Sequence, residues 1–199
     1  MSNAFLDVIK ARRSIYAIGK NITLSEDQIA ALVKEAVKHS PSSFNSQSSR
    51  VVVLFGQQHE KLWNIVKETL RKIVPAESFA ATENKLASFA AGFGTVLFFE
   101  DTKVIDVLQK QFVAYADNFP IWSEHSTGIA QFAVWSTLAQ ERIGASLQHY
   151  NPLIDGEVKS TWQLPDSWKL RAQMPFGSIE QPAGEKTFIS DEERFRILK

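Results

Sequence analysis

Cysteine is absent from the 199-residue chain. Its absence excludes disulfide scaffolds, thiolate metal sites and cysteine nucleophiles. An excess of charge is also absent, because 22 basic and 22 acidic residues give a formal net charge of zero. A neutral chain carries no electrostatic footprint for nucleic acid or for an anionic membrane surface, so we expect neither as a partner.

Long hydrophobic runs are missing as well. The most apolar stretch, residues 93–99, is far shorter than the roughly 20 residues that a membrane-spanning helix needs. The first residues lack the basic and apolar regions of a signal peptide. The sequence therefore predicts a cytoplasmic protein, and the lack of cysteine fits a reducing compartment.

The common motifs of side-chain catalysis are not present either. The four histidines are too scattered for metal-ligand spacing, so we predict no metal site. There is no nucleophile elbow and no Walker loop. Gly92 and Gly94 begin a dinucleotide fingerprint, but Leu97 stands where its third glycine should fall. If the protein is an enzyme, a bound cofactor must carry the chemistry.

What the sequence does contain is an ordinary globular composition, with 44% hydrophobic and 22% charged residues, which predicts a single domain over residues 1–199. Periodicity predicts helices near residues 5–13, 25–39, 62–73, 79–92 and 121–142, and strands at 50–55, 95–99, 145–150 and 169–176. Because these elements do not alternate strictly, we expect an α+β or layered α/β/α domain. The polar arm at 181–199 is expected to pack on a partner subunit.

Two polar segments carry the strongest functional signals. Arg12, Arg13 and Ser14 could clamp a phosphate, or the two arginines could be solvated charges at a helix C-terminus. In residues 40–50, Asn45 and Gln47 each offer an amide donor and acceptor, which suits the edge of a planar polar ligand. The alternative is an ordinary polar turn between a helix and a strand.

Taken together, Arg-Arg-Ser, a helix of about 15 residues and then Pro-Ser-Ser-x-Asn-Ser-Gln resemble the FMN-dependent nitroreductase family. Residues 143–152 and 174–177 resemble its fatty-acid-repression-mutant-type subgroup. The resemblance implies a layered α/β/α domain, with a central and mostly antiparallel sheet flanked by helices, in an intertwined homodimer. The chain departs from the family at Ser48 and Ser49, where Pro-Trp is usual, and at Tyr16, where a lysine is often found.

The same resemblance implies a set of cofactor contacts. Arg12, Arg13 and Ser14 would grip the phosphate and ribityl chain of FMN, and Lys186 would close over the phosphate. The partner subunit would supply the polar loop residues, namely Ser42, Ser43, Asn45 and Gln47. A backbone N–H within Leu147, Gln148 and His149 would face flavin N5, although a packed or capping side chain is the alternative for His149.

An aromatic stretch at residues 112–122 is expected to overhang the flavin. Its members Tyr115, Phe119 and Trp122 would stack on flat acceptors, and Pro120 is expected to interrupt any helix there. The alternative is that these rings belong to the core.

The resemblance thus implies an oxidoreductase that passes electrons from NADH or NADPH to nitroaromatic, quinone or similar flat acceptors by a ping-pong mechanism. A flavin- or lipid-binding regulatory protein with incidental reductase activity remains the alternative.

Overall fold

A five-stranded antiparallel sheet forms the centre of the protein, for which a computed structural model describes residues 3–199. The strands are β1 (Ile18–Gly19), β2 (Ser49–Phe55), β3 (Gly94–Asp101), β4 (Gly144–Ala145) and β5 (Trp168–Ile179). Their order is β1-β5-β3-β2, and β4 pairs with β5. Strand β3 lies between β2 and β5 and is buried on both faces, which explains why its sequence is apolar without alternation.

Helices cover both faces of this sheet. They are α1 (Ala4–Ala11), α2 (Glu26–Lys38), α3 (Gly56–Arg71), α4 (Phe79–Ala90), α5 (Thr102–Gln111), α6 (Phe119–Gln140), α7 (Asp155–Thr161) and α8 (Asp191–Arg194). The predicted capping box starts α2. There the Gln28 N–H donates to Ser25 Oγ at 3.2 Å and the Ser25 N–H donates to Gln28 Oε1 at 2.9 Å.

Successive side chains of β3 point into two separate cores. Leu97 and Phe99 pack in a core with Leu62 of α3 and Phe89 of α4. On the opposite face, Val96 and Phe98 join a core built from residues of α2 and α6, such as Ile29 and Val134. The period-2 geometry of a strand therefore produces the predicted layered α/β/α arrangement.

Two local expectations were wrong, and three helices were missed. The strand expected at 145–150 is confined to Gly144–Ala145, followed by one isolated bridge between Gln148 and Gln173. Helices α5, α7 and α8 were not predicted. Pro120 does not interrupt a helix but lies in the first turn of α6, where its missing N–H costs nothing.

The C-terminal arm follows β5 and carries little core of its own. Every residue from Gly184 to Lys199 is exposed, including the apolar Phe188, Ile197 and Leu198. Packing of this arm on a partner remains a prediction. Across residues 3–199, no helix has the length and apolarity to cross a membrane. The same residues include no cluster of three or more His, Asp and Glu side chains placed to hold a metal ion.

Candidate functional site

The Arg12–Ser14 segment lies beyond the end of α1 in extended conformation. Arg12 is the C-terminal cap of α1, with φ −64° and ψ 115°. Ser14 bridges to Ala145 in parallel, and the N–H of Ile15 donates to the Ala145 carbonyl at 2.9 Å. The segment is therefore attached to β4 rather than left as a solvated helix terminus.

A basic cavity of about 450 Å³ opens beside this segment. It is lined by residues 12–17 and 181–186, so that Lys186 lies in the same cavity as Arg12 and Arg13. Arg13 Nη2 donates to the Gly184 carbonyl at 2.7 Å, which ties the start of the arm to the motif. Lys186 Nζ lies 5.0 Å from the centroid of the Phe188 ring. Glu185 is the single carboxylate in the lining, against three cations.

The Arg12 guanidinium lacks a hydrogen-bond partner at one buried nitrogen among the described residues. It stacks 4.3 Å from the Trp135 ring centroid, and its Nε is buried without a hydrogen-bond acceptor among the described residues. Burial, followed by the charge of Arg13, lowers the pKa of Arg12. An anionic group in the cavity would accept from the guanidiniums and offset their repulsion, so these residues fit a phosphate.

The backbone of Leu147, Gln148 and His149 continues from β4, one residue beyond Ala145, which pairs with Ser14. The N–H of Gln148 donates to the Gln173 carbonyl at 2.7 Å, and its buried side chain donates to Ser146 Oγ at 3.0 Å. Within residues 3–199, the N–H groups of Leu147 and His149 have no acceptor. Only these two N–H groups of the predicted segment are therefore free to face a ligand.

The polar loop at residues 42–47 has an unusual backbone. Phe44, Asn45 and Gln47 have φ values of 56°, 49° and 48°, in the left-handed region that non-glycine residues rarely occupy. The Gln47 N–H donates to Ser42 Oγ at 2.9 Å, while Ser43 begins a short 3₁₀ turn. The side-chain amides of Asn45 and Gln47 are exposed and make no hydrogen bond to any described residue. Such a backbone, held at a cost and presenting free amides, is typical of a binding site.

The two motifs do not meet within one subunit. Ser42 and Gln47 line a second cavity of about 390 Å³, between α2, α6 and β2. No residue lines both this cavity and the basic cavity. This separation is the geometry expected if each motif serves a different binding site of a dimer.

The aromatic stretch at 112–122 packs on the polar loop through a residue that the sequence reasoning missed. The Phe44 ring lies 4.8 Å from Phe112, 5.2 Å from Phe119, 6.0 Å from Trp122 and 6.2 Å from Tyr115 between centroids. An aromatic residue inside an otherwise polar loop was the available signal. Tyr115 is 48% exposed and Trp122 is half-buried, so both can reach a ligand.

Phe119 is the member of this stretch that the structure corrects. It is 1% exposed, so its ring belongs to the core of the aromatic cluster and leaves no face for an acceptor. Burial therefore favours the alternative interpretation, a core residue, for Phe119, while an acceptor contact stays a prediction for Tyr115 and Trp122.

The model of the Nitroreductase family matches residues 9–178 of the chain. The chain belongs to the nitroreductase family. The match includes Arg12–Ser14, the polar loop and residues 147–149, whereas Lys186 and the rest of the arm lie beyond it.

Individual nitroreductases resemble the chain over nearly its whole length. HBN1 of Saccharomyces cerevisiae is 36% identical over 190 residues, which are 94% of each chain. The nitroreductase CinD of Lactococcus lactis, solved in complex with 4-nitrophenol, is 51% identical with a TM-score of 0.90, and the match covers 98% of this chain and 100% of CinD. A nitroreductase with bound FMN from Desulfitobacterium hafniense shares the fold, with 16% identity, a TM-score of 0.71 and full coverage of both chains.

The two serines that replace Pro-Trp in this nitroreductase contact a carboxylate that the sequence reasoning also missed. Glu100 on β3 is 1% exposed. Its Oε2 accepts from Ser48 Oγ and its Oε1 from Ser49 Oγ, each at 2.5 Å. Burial raises the pKa of Glu100, although both hydroxyls and the guanidiniums of Arg171 and Arg50 oppose the shift.

Proposed function

We propose that this protein is an FMN-dependent oxidoreductase of the nitroreductase type. It would transfer electrons from NADH or NADPH to nitroaromatic, quinone or similar flat acceptors by a ping-pong mechanism, as a cytoplasmic homodimer. The observation that carries the proposal is the basic cavity lined by Arg12, Arg13 and Lys186, in which the buried Arg12 Nε has no hydrogen-bond acceptor among residues 3–199.

The basic cavity would hold the phosphate end of FMN. Arg12 and Arg13 would donate charge-assisted hydrogen bonds to phosphate oxygens, and Lys186 would add a point charge from the arm. The Ser14 hydroxyl would hydrogen-bond the ribityl chain. Since Phe188 stands where the family commonly has an arginine two residues after the lysine, phosphate binding would depend mainly on Arg12 and Arg13.

The isoalloxazine ring would lie between backbone and amide donors. The free N–H groups of Leu147 and His149 would face its N5 edge. Ser42, Ser43, Asn45 and Gln47 would come from the partner subunit, which agrees with the separate cavity that Ser42 and Gln47 line in one chain. When bound, FMN supplies the redox chemistry, because its N5 accepts a hydride and the reduced ring donates electrons to a second substrate.

The acceptor would stack between the flavin and the exposed aromatic rings. Tyr115 and Trp122 offer flat faces beside the polar loop, and an aromatic face favours flat ligands without selecting one closely. The 4-nitrophenol complex of CinD, a relative with 51% identity, supports a nitroaromatic acceptor.

An exposed apolar face supports the homodimer. Phe5 and Val8 of α1 and Ile129 and Phe132 of α6 line a groove of about 480 Å³. Phe5 is 64% exposed and Ile129 is 42% exposed, and contiguous apolar surface of this kind marks protein interfaces.

The test is flavin content followed by turnover. We expect the purified protein to be yellow and to release FMN rather than FAD, with one flavin per subunit. NADH or NADPH should reduce the flavin. Initial rates are then measured against the concentration of NADH or NADPH at several fixed concentrations of a nitroaromatic or a quinone. The double-reciprocal lines should be parallel, as a ping-pong mechanism requires. A flavin that binds but is barely reduced would favour the regulatory alternative, and absence of flavin binding would contradict the proposal.

A further inference from the structure

The buried Glu100 carboxylate lies directly beneath the end of the polar loop. Antiparallel pairing places Ser49 opposite Glu100, and Ser48 precedes it at 0% exposure. Each carboxylate oxygen accepts one hydroxyl, from Ser48 and from Ser49, at 2.5 Å. The two residues that follow Gln47 are thus both attached to one side chain of β3.

A second attachment joins the same part of the loop to the next residue of β3. Arg50 Nη1 donates to the Gln47 carbonyl at 2.6 Å, and Arg50 Nη2 donates to Asp101 Oδ2 at 3.2 Å. Gln47 is therefore held at its N–H by Ser42, at its carbonyl by Arg50, and through the following residue by Glu100. Three contacts thus hold Gln47 in its left-handed conformation, and a strained backbone that is held in this way is typical of a functional site.

A role in core packing alone does not explain why an ionisable side chain is buried at position 100. Burying a carboxylate is costly, and a neutral side chain of similar shape serves a core equally well or better. The groups that face Glu100 are the hydroxyls of Ser48 and Ser49 and the guanidiniums of Arg171 and Arg50. Arg171 lies at a register shift between β3 and β5, where Phe98 pairs with Ala172 and Phe99 with Leu170. Such bulges redirect side chains next to functional sites.

We propose that Glu100 is a positioning residue for the cofactor. By accepting hydrogen bonds from both serine hydroxyls, its carboxylate holds Phe44, Asn45 and Gln47 in the left-handed conformation that presents the amides of Asn45 and Gln47 to FMN. This inference rests on the proposed function, because it takes the loop to be a flavin contact. The Ser48–Ser49 pair and Glu100 then act as one unit in place of the Pro-Trp of other family members.

The test compares Glu100→Gln and the double variant Ser48→Ala, Ser49→Ala with a control on the same strand. Thr95→Val disrupts another buried polar network, in which Thr95 Oγ1 contacts His59 Nδ1 at 2.8 Å and accepts from Trp63 Nε1 at 3.0 Å. This control loosens the core without touching the loop. Three quantities are measured on the full chain: the FMN dissociation constant, hydrogen exchange at the Gln47 N–H, and the midpoint of urea unfolding.

We expect Glu100→Gln and the double serine variant each to raise the FMN dissociation constant by at least about tenfold, since hydrogen bonds to a carboxylate are among the stronger ones. They should also speed exchange at Gln47 without lowering the urea midpoint below that of Thr95→Val. The inference is overturned if Glu100→Gln keeps wild-type exchange at Gln47, or if Thr95→Val weakens FMN binding equally. If the wild type binds no FMN, the proposed function fails, and exchange at Gln47 alone decides whether Glu100 holds the loop.

Discussion

At the scale of single residues, adjacent arginines have different surroundings. Arg13 is fixed by the Gly184 carbonyl at the start of the arm, whereas Arg12 stacks on Trp135 and keeps a buried Nε without an acceptor among residues 3–199. Arg12 therefore contributes packing as well as charge, and Arg13 couples the motif to the arm. Both guanidiniums line the same cavity, so a phosphate there could accept from each.

Replacing Arg12 and Arg13 together by alanine should weaken FMN binding by on the order of 10²-fold or more. Each charge-assisted hydrogen bond contributes about 1.5–3 kcal/mol, and the variant loses at least two. Flavin fluorescence titration measures the dissociation constant. Lys10→Ala is the matched control, because Lys10 is an exposed cation in the last turn of α1 outside the cavity lining. An unchanged constant in the double variant would make these arginines merely structural.

His59 should make stability depend on pH. It is 1% exposed, its Nε2 bonds the Ala90 carbonyl at 3.1 Å, and burial is the main cause that lowers its pKa from 6.5. Between the lowered folded pKa and 6.5 the unfolded chain binds more protons, so stability is full above pH 6.5 and falls as the pH drops through that window.

Urea unfolding of the wild type and His59→Gln from pH 7.5 to 4.5 measures this effect. The difference in unfolding free energy between the two proteins should vary with pH, in the direction that the wild type loses more on acidification. Taking this difference removes the contribution of Glu100 to the free energy of unfolding. The raised pKa of Glu100 changes stability with pH in the opposite direction, and it does so in both proteins. Parallel curves would show that His59 does not titrate differently on folding.

At the scale of elements, the helices that were predicted have apolar periodicity or capping signals in their sequence. Helix α3 buries five residues, and α2 has a complete capping box, so periodicity and capping identified both. Helix α5 was missed although its sequence is amphipathic, whereas α7 and α8 are short, with 7 and 4 residues. The strand expected at 145–150 fails because the Gln173 side chain accepts the Tyr150 N–H at 2.7 Å, a tertiary contact that no local pattern encodes.

The residues of the candidate site also differ in whether the sequence could predict them. The polar motifs were visible because their residue types and spacing carry the chemistry. Phe44 and Glu100 were not, because their roles depend on contacts across 50 or more residues, such as Ser48 to Glu100. Phe119 was assigned to the acceptor from its aromatic type and from the family resemblance, and only packing reveals that it is buried.

We expect the aromatic segment at residues 112–122 to determine the KM for different acceptors. We expect Tyr115→Ala or Trp122→Ala to raise KM for bulky aromatic acceptors about two- to tenfold with FMN still bound, since an aromatic contact contributes roughly 0.5–1.5 kcal/mol beyond area. The half-reaction with NADH or NADPH should change less. Steady-state kinetics with a small and a bulky acceptor measures the difference.

Phe119→Ala is the contrasting control for that segment. Because the Phe119 ring is 1% exposed, its removal should destabilise the fold by about 3–5 kcal/mol, which thermal unfolding detects. If Tyr115→Ala and Trp122→Ala unfold the protein in the same manner, their rings are core. If they leave the kinetics of every acceptor unchanged, the acceptor binds elsewhere.

At the scale of the whole molecule, the site is divided between two places on one chain. The basic cavity lies beside β4 and the arm, and the polar loop lines its own cavity between α2, α6 and β2. The exposed apolar groove along α1 and α6 shares Ser40 and Pro41 with the cavity of the loop. A second subunit packed on that groove would therefore lie next to the polar loop and could bring its own basic cavity close to it.

This arrangement predicts complementation between two defective subunits. One subunit carries Asn45→Gly, since glycine adopts the φ of 49° without strain while the amide is removed. The other carries Arg12→Ala and Arg13→Ala. Each homodimer should retain little flavin. A heterodimer purified through two different tags has one site with both motifs intact and one site lacking both, so it should bind one FMN per dimer, as absorbance at the flavin maximum would show. If the motifs instead act within one subunit, every site of the heterodimer keeps one defect, and no flavin returns.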